Sequence, residues 1–192
     1  FGMWDEMLSD PKPAVESQFM TGIWHYGRAL AYIHTDRPTE AHRELRSVSK
    51  AREAMGTVEH YVGFATAETL MTIAEQIVRG ELAYSEGDTL AGLAHLERAV
   101  RLEDGLRYNE PPDWYFPVRH LLGAMLIDAG QPNEAEVVYA ADLRKNPDNG
   151  YALFGLKRAL EMQGKREDAI EVAKRFDRAW AESTQRLKSS RF

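Results

Sequence analysis

An all-α chain of stacked helical hairpins is the fold class this sequence predicts, on three observations. A pattern of about 34 residues runs twice near the C-terminus. From Phe116 the chain reads Leu122–Gly123, Gln131–Pro132, Ala135, Tyr139 and Asn146–Pro147. The pattern returns as Leu156–Lys157, Gly164–Lys165, Ala169, Ala173 and Phe176. Small residues stand where two helices would cross, and turn residues separate the helices. No alternating apolar and polar run is long enough for a strand of useful length.

The same hairpin traces backward with less regularity. In 22–55, Ala29 and Ala41 take the small positions and Leu45 and Val48 continue an apolar face. Asp36–Arg37–Pro38 makes the turn, with Pro38 in the first helical turn, where its missing N–H costs little. In 73–106, Gly80 and Gly92 are small, Glu86–Gly87–Asp88 turns the chain, and Leu96 and Ala99 face inward. Helices are expected near 14–35, 39–54, 67–86, 88–103, 116–129, 132–145, 150–163 and 166–182. Thr66 is the expected N-cap of the helix over 67–86.

The predicted organisation follows. Residues 1–21 are the remnant of a truncated N-terminal repeat and the start of the first long helix. Hairpins then occupy 22–55, 73–106, 116–149 and 150–183, the last with a C-terminal cap. Residues 56–72 are an inserted loop and helix start, and 107–115 a Pro/aromatic inserted loop. Ile170, Ala173, Phe176 and Trp180 form one stripe on the last helix. The tail 184–192 is polar and basic and is expected to fray. The chain starts with Phe1, and Trp4 and Leu8 share a helical face, so a fragment beginning inside a repeat is expected. Its uncovered apolar end offers a route to self-association.

This hairpin, with its turn and terminal Asn-Pro, resembles the tetratricopeptide repeat (TPR). The resemblance implies a right-handed superhelical solenoid whose first helices line a concave face. The segments FGMWDEML, WHYGRALAY, LRYNEPPDWYFPVRHLLGA and NPDNGYALFGL look like the C-terminal part of longer bacterial TPR proteins. That likeness supplies no catalytic residue. Family members that bind chaperone C-termini hold a carboxylate with Lys, Asn and Arg on the concave face. Here the matching places carry Tyr26, Leu30, Ile77, Glu81, His120, Ala124 and Phe154, and only Arg158 is basic. Binding to those acidic C-termini is not expected.

Composition narrows the function. The chain has 192 residues, 44% hydrophobic and 28% charged, enough to bury a core. A net charge of −6 argues against nucleic acid, whose binders present a basic face. No apolar run is long enough to span a bilayer, so no membrane partner is predicted. Cysteine is absent, which removes thiolate ligands and nucleophiles but leaves the compartment undetermined. No histidine pair has the i, i+4 spacing of a zinc helix, and no phosphate loop or nucleophile elbow occurs. No metal, cofactor or catalytic residue is assigned.

Recognition chemistry concentrates in RYNEPPDWYFPVRH. Tyr108, Glu110, Trp114, Arg119 and His120 combine large rigid surface with polar ends, as binding hot spots do. The bland alternative is a loop pinned by its aromatics. His120 is expected to point from its helix into the groove, and His25 to be a core or half-buried packing residue. Tyr26, Glu81, Tyr84, Phe154 and Arg158 complete the expected partner-binding face. The function expected is a non-catalytic scaffold binding a protein, a peptide or the repeats missing from its own parent. The alternative is one wall of a larger, metal-dependent enzyme's site.

Overall fold

The computed structural model describes residues 2–14, 17–55 and 60–191. Its described elements are nine helices and one two-residue β-hairpin. The chain divides into two compact units, 1–115 and 116–192.

In the first unit a short α1 (Trp4–Ser9) precedes α2 (Gln18–His34) and α3 (Pro38–Ala54), then α4 (Ala67–Ser85) and α5 (Thr89–Asp104). Helices α2 and α3 pair as one hairpin and α4 and α5 as the next, and both α2 and α3 pack on α4. The ends are fixed locally. Ser17 and Thr66 accept hydrogen bonds from the amides three residues on, and Pro38 opens α3. Ala29, Ala41, Val48, Leu96 and Ala99 are fully buried, as their spacing predicts. A Cβ on Gly80 would stand 2.9 Å from Leu96 Cγ and 3.1 Å from the Gly92 carbonyl, so the α4–α5 crossing admits no side chain there.

The second unit holds α6 (Val118–Asp128), α7 (Pro132–Lys145), α8 (Gly150–Met162) and α9 (Arg166–Ala179). Each packs on the next, and α6 also touches α8. The observed helices follow the expected segments closely, the largest shift being the start of α2 at Gln18.

All four hairpin turns share one backbone device. Asp36, Gly87, Gly130 and Gly164 have φ of 58, 92, 71 and 73°. The following amide then reaches back to the helix, as in Arg37 N to Tyr32 O (2.8 Å) and Lys165 N to Leu160 O (3.0 Å). This is the Schellman closure, which satisfies carbonyls orphaned at a helix end.

Several expectations need correction. The first insertion, predicted as a loop, holds an antiparallel pair of strands, β1 (Tyr61–Val62) and β2 (Ala65–Thr66), turning at Gly63 with φ 66°. The earlier part of that loop, 56–59, lies outside the described residues, as do Phe1 and Phe192. On α9 the buried residues are Ala169 and Val172, while Ile170 is 55% exposed. Of the predicted stripe, Phe176 and Trp180 meet the rings of α8 and Ile170 alone turns outward. At the start of the chain α1 packs on α2, with none of its residues fully buried. Trp4 stacks on His34 with centroids 4.4 Å apart, and the Met7 sulfur fills the space beside Gly27. The tail is not solvent-exposed throughout: Ser190 is only 2% exposed.

Candidate functional site

In the first unit the candidate residues gather around a loop folded back on its own helix. Trp114 is buried, with its ring 5.7 Å from that of Tyr26 on α2, edge to face. The Tyr26 and Tyr115 hydroxyls lie 3.2 Å apart. Burial, then the Tyr115 phenol, then the Glu81 carboxylate push the Tyr26 pKa well above its ordinary value. Tyr26 is therefore neutral at physiological pH. Asp113 fastens the loop: Oδ1 accepts from Asn109 Nδ2 (2.6 Å) and Oδ2 from the Phe64 amide (3.0 Å). A Cβ on Gly63 would collide with Asp113, so glycine there admits the carboxylate as well as the turn.

This geometry separates the expected site residues of the first unit. Tyr26, Glu81 and Trp114 are buried. Tyr84 is half-buried. Tyr108 is 82% exposed and donates a short hydrogen bond to Glu110, which is exposed too. The aromatic loop pins itself with Trp114 and Tyr115 and presents Tyr108 and Glu110 outward.

In the second unit His120 does not point into an open groove. Its side chain is fully buried on α6, and Nε2 lies 3.0 Å from Asp142 Oδ2 on α7. Asp142 accepts a second bond from Asn146 Nδ2 at 2.9 Å. The imidazole stacks on Tyr151 and meets Phe116 edge-on. A carboxylate and two rings on neighbouring elements draw the histidine inward, which spacing along α6 could not reveal. Arg119 is half-buried. His25, in the first unit, is half-buried, as expected, and is paired with Glu44.

Phe154 and Arg158 lie one turn apart on α8. Phe154 is half-buried and Arg158 exposed. Phe154 lines an open pocket of about 400 Å³ with Phe176, Trp180, Leu187 and the polar Asp177, Ser183, Gln185 and Arg186. Rings extend from Phe154 through Phe176 and Trp180 to Tyr151, with successive centroids 5.4–5.9 Å apart.

Sequence reasoning missed three contributors here: Tyr139, Ser190 and Asp128. Tyr139 on α7 is buried, and its hydroxyl lies 2.5 Å from Ser190 Oγ. The Ser190 hydroxyl donates to the His120 carbonyl at 2.9 Å, so Tyr139 donates to Ser190. Burial raises the Tyr139 pKa, keeping the phenol a donor. The aromatic at 139 was visible as part of the repeat, but nothing in the polar tail signalled Ser190.

Pairs of antiparallel helices with glycine-closed turns and small crossing residues define a tetratricopeptide-repeat fold. Residues 126–184 match the tetratricopeptide-repeat family model. Three similar crystal structures share the fold. The MamA protein is 16% identical, with a TM-score of 0.54, covering 87% of this chain and 79% of that one. TPR-like repeats of a Podosopora anserina protein assigned as a kinesin light chain are 17% identical, with a TM-score of 0.58, covering 95% and 84%. A variant of the latter gives 18% identity and a TM-score of 0.59, covering 94% and 84%. No curated protein matches the sequence. The chain thus has a tetratricopeptide-repeat-like fold, and the family match itself covers residues 126–184.

Proposed function

We propose that the chain is a non-catalytic protein-interaction scaffold, and that its second unit binds an extended peptide on the face carrying Phe154 and Arg158. The observation that supports this reading is the 400 Å³ pocket beside Phe154, with aromatic walls and a polar rim. An apolar floor supplies affinity without fixed direction, and a few convergent polar groups fix orientation. Arg158, one turn on, adds a planar cation for a carboxylate or backbone carbonyl. The fold supplies rigidity, because α6, α7 and α8 each pack on at least two neighbours and few side chains must be ordered on binding. In the first unit, exposed Tyr108 and Glu110 add polar and aromatic contact surface.

The test compares affinity capture by the unaltered chain, a Phe154→Ala/Arg158→Glu variant and an Ile170→Ala variant. Ile170 lies on the exposed side of α9 and serves as control. Loss of partners from the double variant alone, at unchanged helicity, is expected. Equal recovery by all three proteins overturns the assignment of this face.

A further inference from the structure

Residues 183–191 belong to no helix or strand, yet they are held at four places in the second unit. Trp180 Nε1 donates to the Gln185 carbonyl at 2.8 Å. Leu187 is half-buried and lines the pocket beside Phe154. Ser190 is enclosed between Tyr139 and the His120 carbonyl. Arg191 Nη2 donates to Asp128 Oδ2 at 3.0 Å, with its side chain 14% exposed. The seat is thus assembled from α6, α7, α8 and α9, and an extended segment lies in it.

Each contact selects a side-chain chemistry. The slot at Ser190 offers a donor, the Tyr139 hydroxyl, and an acceptor, the His120 carbonyl. A small hydroxyl answers both at once. Alanine would leave both without a partner, and a carboxylate would meet the carbonyl oxygen as an unpaired, like-signed dipole end. Asp128 offers a carboxylate to the next residue, which suits an arginine fork. Three residues earlier, Leu187 joins Phe154, Phe176 and Trp180 in the wall of the pocket, an apolar setting that suits an aliphatic side chain.

We propose that this seat is a sequence-selective peptide site. Its ligand is an extended segment bearing an aliphatic residue and, three residues later, a small hydroxyl residue followed by arginine. Residues 185–191 occupy the site as a built-in competitor. The proposal rests on the peptide-binding reading above and names the ligand. An attached competitor acts at an effective concentration on the order of mM. A free peptide of the same sequence is therefore largely excluded until the attached segment is released.

The probe is a fluorescently labelled peptide of residues 185–191, followed by anisotropy with the full chain. Ser190→Glu in the protein should release the attached segment and raise peptide affinity at least about tenfold over the unaltered chain. A peptide carrying Glu at the Ser190 position should bind at least about tenfold more weakly to that variant. Adding Asp128→Arg to the protein should abolish the preference for arginine. Arg191→Glu, at the more exposed end, is a second releasing variant should Ser190→Glu perturb helicity. Equal peptide binding by released and unaltered chains, or binding that a scrambled peptide matches, overturns the proposal. If partner capture still depends on Phe154 and Arg158 in that case, the scaffold reading survives and only the ligand assignment falls.

Discussion

Gly155 and Tyr139 approach so closely that a Cβ on Gly155 would stand 2.1 Å from the phenol Cζ. Gly123 presses on the other side, where its Cβ would stand 2.4 Å from the same atom. The ring of α7 is thus held between α6 and α8, and its hydroxyl emerges at Ser190. Gly155→Ala should overpack this junction and destabilise the second unit by about 1–3 kcal/mol. Combining it with Tyr139→Leu should cost less than the two changes summed. Denaturant melts of both singles and the double measure the coupling, and strict additivity would refute the clamp.

Asp36 holds the left-handed conformation that glycine holds at the other three hairpin turns. That conformation costs an L residue about 1 kcal/mol, somewhat less for Asp. Asp36→Gly should therefore stabilise the first unit by a few tenths to about 1 kcal/mol, offset in part by added backbone entropy in the unfolded chain. Gly164→Ala should do the opposite in the second unit. Thermal melts of the two variants should shift in opposite directions.

Glu75 ties α3 to α4 and sets an acid limit. It accepts from Ser49 Oγ (2.8 Å), Arg52 Nε (2.7 Å) and Arg79 Nη2 (2.6 Å), with its side chain 6% exposed. Burial pushes its carboxyl up, but the bonds from Arg79, Ser49 and Arg52 outweigh it and hold the pKa below the ordinary 4.5. A depressed folded pKa means the unfolded chain binds the proton more readily. The stabilisation is present above about pH 4.5 and is lost as pH falls through the folded value. Glu75→Gln should cost about 1.5–3 kcal/mol at neutral pH. It should also flatten the fall in stability between pH 5 and 3, read from urea midpoints across that range. A fall as steep as in the unaltered chain would show that other carboxylates set the limit.

Trp114 anchors the inserted loop, while Tyr108, six residues earlier, stands in solvent. Trp114→Ala should cost about 3–5 kcal/mol. Tyr108→Ala should stay within about 0.5 kcal/mol, as surface changes do. Denaturant midpoints separate the two. Equal costs would mean that the loop is held by something other than the Tyr26–Trp114 contact.

The sequence by itself determined the hairpins. Pro38 at a helix start, Thr66 as a cap, Gly87, Gly130 and Gly164 at turns, and Ala29, Ala41, Ala135 and Ala169 at crossings all act within a few residues of themselves. Their signals are backbone conformation, capping and side-chain size, so they can be read from neighbours in the chain. Tertiary structure alone decided what covers the helices. Trp114 finds Tyr26 across 88 positions of sequence, and Ser190 meets the His120 carbonyl from 70 residues away. His120 turned inward because Asp142 on the adjacent helix offers it a buried carboxylate. Ser190 is ordered because a phenol from α7 and a carbonyl from α6 meet at one point. Neither segment carries a periodic pattern, and a partner contributed by a distant helix leaves no mark on the residues beside it.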